Sequence, residues 1–222
     1  MDRYQRQIML LGAENQKTLS KSTISIVGLG GLGGIASQIL ARSGINLKLF
    51  DPDRVEIHNL HRQILYTEKD IGKKKADIAL KTLSEINPEI KIESCSKRIT
   101  SRNSHLLDGS DLVLDCTDNM ESKFLLNDIC LEKGIPLVFG AVGENFGMVA
   151  LIKKGGPCLR CFLPKLDRTT GILGATVGIV GSLQAELAVR YLTGEDLSGY
   201  LFHYNNLEIK KIKIKKRCGE CE

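Results

Sequence analysis

Tryptophan is absent from this 222-residue chain, and aromatic residues make up only 5% of it. That scarcity argues against a surface that stacks nucleic-acid bases. No segment is continuously apolar for long enough to span a bilayer, and Ile172 to Val189 is interrupted by glycines and Glu186. A secretory leader core is also missing, because the opening Met1-Asp2-Arg3-Tyr4-Gln5-Arg6 is polar. The expected compartment is therefore the cytoplasm, with no membrane partner. Neither an internal repeat nor a low-complexity tract interrupts the chain.

Basic residues do outnumber acidic ones, 31 to 26, for a formal charge of +5. The excess is local. Glu208 to Arg217 holds six of those bases (Lys210, Lys211, Lys213, Lys215, Lys216 and Arg217) against one acid, leaving 25 of each sign elsewhere. The same segment alternates Ile209, Ile212 and Ile214 with lysines, the pattern of a half-buried strand at a charged sheet edge. Two readings stay open: a solvated edge, or a docking surface for an acidic partner. Nucleic acid is not an expected partner.

What is present begins with a glycine loop, Gly28-Leu29-Gly30-Gly31-Leu32-Gly33. It follows an apolar strand, Ile24 to Val27, and opens a helix of small and apolar residues. Such a loop lets bare backbone amides and a helix N-terminus reach phosphate. Asp51 closes the next strand, near the ~20-residue offset of a ribose-binding acid. A nicotinamide enzyme would share these features. It would offer no role for Asn59-Leu60-His61-Arg62-Gln63, for Lys75, or for Asp115-Cys116-Thr117-Asp118-Asn119. Cations at Arg62 and Lys75 and a carboxylate at Asp118 better suit a triphosphate with a divalent metal. Taken singly, each of these residues could equally be a surface charge or a helix cap.

Around these motifs strands and helices alternate. Strands are expected near 23–28, 46–50, 90–94, 111–115 and 136–139, and helices near 34–43, 72–86 and 119–133. The second helix should stop at Asn87-Pro88, and the third near Gly134. This alternation predicts an α/β, Rossmann-like fold: a mainly parallel sheet with helices on both faces. Beyond Gly140, Phe146 to Ile152 and Tyr200 to Ile214 read as longer, antiparallel strands, with a helix from about Thr176 to Leu192 between them. One continuous domain over 1–222 is expected, with a nucleotide-binding core at about 20–140 and a C-terminal extension at about 141–222.

Seven cysteines include two CxxC pairs, Cys158/Cys161 and Cys218/Cys221. Two such pairs can complete a tetrahedral four-cysteine zinc site that clamps the C-terminal segment onto the domain. The alternative is a redox CxxC, although that motif normally opens a helix after a strand and Cys221 is followed by a single residue. Cys95, Cys116 and Cys130 read as buried small residues.

In order along the chain, Arg3-Tyr4-Gln5-Arg6-Gln7, the glycine loop, Asp51-Pro52-Asp53, Asn59 to Gln63, Gly72-Lys73-Lys74-Lys75, Asp115 to Asn119 and both CxxC pairs resemble the MoeB/ThiF/HesA family. The resemblance covers nearly the whole chain. It implies an ATP-dependent adenylyltransferase acting on the C-terminal glycine of a ubiquitin-fold sulfur carrier that ends in Gly-Gly. The product would be an acyl-adenylate, for sulfur transfer in molybdopterin, thiamine or related thio-biosynthesis. By position, Asp51 would bind the ribose hydroxyls, Gly31 would lie against the nucleotide, Arg62 and Lys75 would hold phosphates, and Asp118 would coordinate Mg2+. Gly28, Gly30, Gly33, Asp53, Asn59, Gln63 and Asn119 would complete the ATP site. Arg6 would reach the neighbouring subunit's ATP, which implies a homodimer.

One departure limits the chemistry. Many relatives carry a cysteine four residues before the glycine corresponding to Gly171, where this chain has Asp167, and Phe162 to Thr170 contains none. The expectation is a reaction that stops at the acyl-adenylate, with sulfur from a separate donor. Adenylation of another carboxylate, on a peptide, an amino acid or a modified nucleoside, remains an alternative, as does a non-catalytic scaffold.

Overall fold

A computed structural model describes residues 3–163, 171–219 and 221. Asp167, where the missing cysteine was noted, lies outside the described residues. Two helices open the chain, α1 (Gln5–Leu11) and α2 (Ala13–Lys21). The alternating core follows: β1 (Thr23–Val27), α3 (Gly31–Arg42), β2 (Asn46–Phe50), α4 (Lys75–Ile86), β3 (Ile92–Cys95), β4 (Leu112–Asp115), α5 (Met120–Lys133) and β5 (Leu137–Val142). The last third comprises β6 (Phe146–Ile152), α6 (Gly174–Leu192), β7 (Tyr200–Asn205) and β8 (Glu208–Lys213).

All eight strands form one sheet, in the order β3-β2-β1-β4-β5-β6-β7-β8. Pairing is parallel from β3 through β5 and antiparallel from β5 through β8. The α/β expectation and its antiparallel extension are both met. Alternation along the strands sorts side chains between two cores. Ile24, Ile26, Leu112 and Leu114 pack on one face with α3, α4 and α6, whereas Val27, Val113 and Phe139 pack on the other against Leu126 and Ile129 of α5. The glycines at the α3–α6 contact make close packing possible. A Cβ on Gly181 would sit 2.9 Å from Ile35 and from the Leu32 carbonyl.

Boundaries follow local chemistry. Asn119 caps α5 by accepting from the Ser122 amide at 2.9 Å, and Gly134 ends the helix in the left-handed conformation at φ 67°. The helix expected from Gly72 begins instead at Lys75, because Gly72 takes φ 82° and Lys74 pairs with Arg54. The strand read as Tyr200 to Ile214 is a hairpin, turned at Asn206 and Leu207, both with positive φ (49° and 66°). A second correction concerns its burial. Every residue of β8 is exposed, with Ile209 at 50% and Ile212 at 44%, and only Ile214 beyond it is buried. Among the described residues, β8 ends the sheet and has no neighbouring strand on its outer side.

Among the described residues, no helix is long and apolar enough to cross a membrane.

Candidate active site

The C-terminal ends of β1, β2 and β4 stop side by side, with Val27 registered against both Phe50 and Asp115. In an open α/β sheet the ligand crevice lies beyond those ends, where the connections on either side of the central strand diverge. A cleft of about 980 Å³ occupies that position.

Its floor is the glycine loop. Gly28 adopts φ 93°, and a Cβ there would meet the Cys116 carbonyl oxygen at 2.6 Å, so both conformation and space demand glycine. Leu29 is held from two sides: its amide donates to Asp51 Oδ2 at 2.7 Å, and its carbonyl accepts from the Tyr66 hydroxyl at 2.8 Å. Helix α3 starts at Gly31 without a side-chain cap, which leaves its first amides available toward the cleft. Gly31 does line the cleft, but its lack of a side chain serves packing as well. A Cβ there would strike Val177 of α6 at 2.5 Å.

Asp51 is 4% exposed. Burial raises its pKa above the usual 3.8, opposed by hydrogen bonds from the Leu29 and Asp53 amides and by the charge of Lys75. Lys75, at the start of α4 and 5% exposed, places Nζ 3.5 Å from Asp53 Oδ2. Arg62 lies across the cleft and donates to the His58 carbonyl at 3.0 Å. Gln63 is 4% exposed and lines the same wall, yet its Oε1 has no partner. A buried acceptor without a donor is costly unless a ligand or water meets it. Asp118 and Asn119 enter from the turn after β4, and Asp118 is exposed there.

The structure thus brings Gly28, Gly30, Gly31, Asp51 and Asp53 to one cleft, together with Arg62, Gln63, Lys75, Asp118 and Asn119. Three expected residues do not line it. Gly33 lies below the loop, where a Cβ would fall 1.9 Å from the Gly28 carbonyl oxygen. Asn59 is buried and accepts from the Glu56 amide at 3.1 Å, which caps the short 3-10 turn Ile57–Asn59, and its carbonyl accepts from the Arg62 amide at 3.1 Å. Arg6 is exposed on α1 and outside the cleft. Lys97 and Arg98, absent from the sequence-based expectation, add two more cations to the lining. Their position just beyond the end of β3, at the same sheet edge, is the signal that the sequence offers for them.

On the opposite side of the sheet from α3, the four CxxC sulfurs converge within 4.8 Å of one another. Cys158 and Cys218 sulfurs are 3.3 Å apart, and Cys218 and Cys221 sulfurs 2.9 Å. Zinc–thiolate bonds of about 2.3 Å set tetrahedral sulfurs ~3.8 Å apart, so the four-thiol donor set suits zinc once these contacts of 2.9–3.5 Å open slightly around an ion. Although burial works against it, backbone amides of Arg217 and Cys218 bring the Cys161 thiol down to about 6, whereas burial pushes Cys158 and Cys221 up. The first CxxC is fastened to α5. Leu159 N donates to Asn127 Oδ1 at 3.0 Å, and Arg160 pairs with Asp128 through both nitrogens while lying over the Phe124 ring. Of the other thiols, Cys116 and Cys130 are buried, and burial pushes Cys130 up to about 12. Cys95 is only half-buried, contrary to expectation.

Comparison with known proteins finds relatives along the whole chain. The ThiF family profile matches residues 4–222. A sulfur carrier protein adenylyltransferase of Thermus thermophilus is 38% identical over 245 residues, spanning 100% of this chain and 90% of its own. The SAMP-activating enzyme E1 of Haloferax volcanii is 38% identical over 223 residues, covering 94% and 83%. The adenylyltransferase and sulfurtransferase MOCS3 of Culex quinquefasciatus is 36% identical, and this chain spans 54% of its length. Among solved structures, the fold is shared with E. coli MccB bound to MccA-N7isoASN, at TM-score 0.91 and 22% identity over 100% of this chain and 75% of that one.

Proposed function

The chain belongs to the ThiF family, a family of adenylyltransferases, and from that premise we propose that it uses ATP to adenylate the C-terminal glycine carboxylate of a ubiquitin-fold sulfur carrier. The observation that carries this reading is the single cleft uniting the glycine loop and Asp51 with Arg62, Lys75 and Asp118. Asp51 would accept from the ribose hydroxyls, and the amides at the start of α3 would face phosphate. Arg62 and Lys75, joined by Lys97 and Arg98, would neutralise charge on the departing pyrophosphate. Gln63, which lines the cleft, would offer its side-chain amide as a hydrogen-bond donor. Asp118, exposed at the cleft, would hold Mg2+, which supplies further charge neutralisation when bound. The carrier's carboxylate attacks the α-phosphorus, the bond to the bridging oxygen breaks, and pyrophosphate leaves. Catalysis is then chiefly positioning and electrostatic stabilisation. A hydride-transfer reading would leave Arg62, Lys75 and Asp118 without a task.

Four converging thiols support a structural zinc site, separate from the nucleotide cleft. The absence of cysteine from Phe162 to Thr170, with Cys116 and Cys130 buried, supports release of the acyl-adenylate to a separate sulfur donor without a thioester. A homodimer is supported by α1, where Met9 and Leu10 are 73% and 84% exposed beside Arg6. A partner copy would cover that apolar surface and receive Arg6 at its own ATP. For the carrier, the exposed lysine-rich edge at β8 offers a complementary surface to an acidic domain.

ATP–pyrophosphate exchange tests the whole reading. Exchange should require a carrier with a free Gly-Gly carboxylate and should vanish in Asp118→Ala. Exchange driven equally well by a short peptide would move the substrate away from a ubiquitin-fold protein. An unchanged rate in Asp118→Ala would remove the metal role. Mixing Arg6→Ala with Asp118→Ala subunits should restore part of the activity, and failure despite confirmed subunit exchange would overturn the shared site.

A further inference from the structure

Behind the Asp118 turn lies an ion pair, neither of whose residues lines the cleft. Asp115, fully buried at the end of β4, accepts from Lys123 Nζ through Oδ2 at 3.2 Å. Lys123 is 4% exposed on the first turns of α5. Its ammonium also donates to the Gly140 carbonyl at 2.6 Å and lies 5.1 Å from the Phe139 ring centroid. Burying two charges costs more than packing apolar residues of the same size, so stability alone is a poor reason for the pair.

Asp115's other oxygen supplies a reason. Oδ1 accepts from both the amide and the hydroxyl of Thr117, at 3.0 and 2.6 Å. Three donors thus converge on this carboxylate, and Lys123 is its counter-cation. The turn that starts at Thr117 presents Asp118 to the cleft and then enters the Asn119 cap of α5. Lys123 holds that turn from below through Asp115 while its own amide bonds the Asn119 carbonyl at 3.2 Å from above. On the far side, Gln184 of α6 donates to the Asp115 carbonyl at 2.9 Å, fixing the strand end itself.

We propose that Lys123 is a positioning residue for adenylation: acting through Asp115 and Thr117, it sets the backbone turn that aims Asp118 at the metal–nucleotide complex. The functional half of this proposal rests on the adenylation reading above.

The test uses the full chain in three forms: Lys123→Arg, which keeps the charge; Lys123→Met, which leaves Asp115 unpaired; and Asp115→Leu/Lys123→Met, which removes both charges and is expected to fold stably. Two readouts are taken, amide hydrogen exchange at Thr117 to Asn119 and the affinity for ATP with and without Mg2+. In Lys123→Met, which keeps Asp115 as the Thr117 acceptor, exchange at those amides should rise at least about tenfold, and in the double variant it should rise as far while the thermal midpoint and the β4 amides stay as in the parent. Mg2+-dependent ATP affinity should fall by about tenfold or more, and Lys123→Arg should retain most of it. Parental exchange at Thr117 to Asn119 in Lys123→Met overturns the proposal, as does loosened exchange with undiminished Mg2+-dependent affinity. Should the parent protein itself bind no Mg2+-ATP, the adenylation reading falls, while exchange still decides whether Lys123 sets the turn.

Discussion

Gly33 sits so close to the carbonyl oxygen of Gly28 that a Cβ built on it would lie 1.9 Å away. The two ends of the glycine loop are therefore in mutual contact, and the loop's curvature depends on both residues lacking a side chain. Gly33→Ala should open the loop, cost roughly 1–3 kcal/mol of stability, and abolish measurable nucleotide binding. Calorimetry against ATP checks this, and parental affinity in the folded variant would show that the close contact is dispensable.

Asp51 supplies a pH dependence with a definite sign. Its folded-state pKa lies above the unfolded 3.8 because burial outweighs two amide hydrogen bonds and the Lys75 charge. Its contribution to stability is accordingly full below the unfolded value and lost as pH rises through the folded one. A nucleotide that needs the ionised carboxylate as acceptor must then pull the pKa down. Binding ATP just above pH ~4 should release a proton, visible as a dependence of the binding enthalpy on buffer ionisation heat. No such dependence would argue against contact between Asp51 and the ribose.

The four-cysteine cluster should retain one equivalent of zinc through purification. Cys218→Ser should lose it, and a loss of only ~2 kcal/mol would lower the thermal midpoint by about 4–8 °C in a chain of this size. An unaltered midpoint without metal would deprive the cluster of its role as a clamp.

Charge reversal at Lys210, Lys211 and Lys213 tests the β8 edge. These residues are exposed and do not line the cleft. Carrier binding should weaken and lose its salt dependence, with ATP affinity unchanged. Equal carrier affinity in the triple variant would return the lysines to a purely solvating role.

The alternating core is legible in the sequence because strand–helix alternation and the Asn87-Pro88 and Gly134 stops are local signals. Other features depend on tertiary context. Helices α1 and α2 escape a reading by pattern because α1 buries no residue and α2 buries only Gln16 and Leu19, too little for an apolar stripe. The β7–β8 turn is hidden because left-handed conformations usually announce themselves through glycine, whereas here Asn206 and Leu207 adopt them. Cleft residues identified by type, such as Asp51, Arg62 and Lys75, do meet. Asn59 and Gly33 instead support the cleft from behind. Lys123 and Gln184, both deeply buried polar residues, carry no local mark that separates them from the surface lysines and glutamines around them.

The cysteine cluster also bears on how the chain closes on itself. Cys158 and Cys218 are separated by 60 positions, and α6, β7 and β8 lie between them. Bringing their sulfurs together closes a long loop, and that closure costs least chain entropy once the antiparallel extension lies against β6. An ion held by the four thiols would therefore tie the last strands of the sheet to the segment that follows β6, joining two ends of the extension that are distant in sequence.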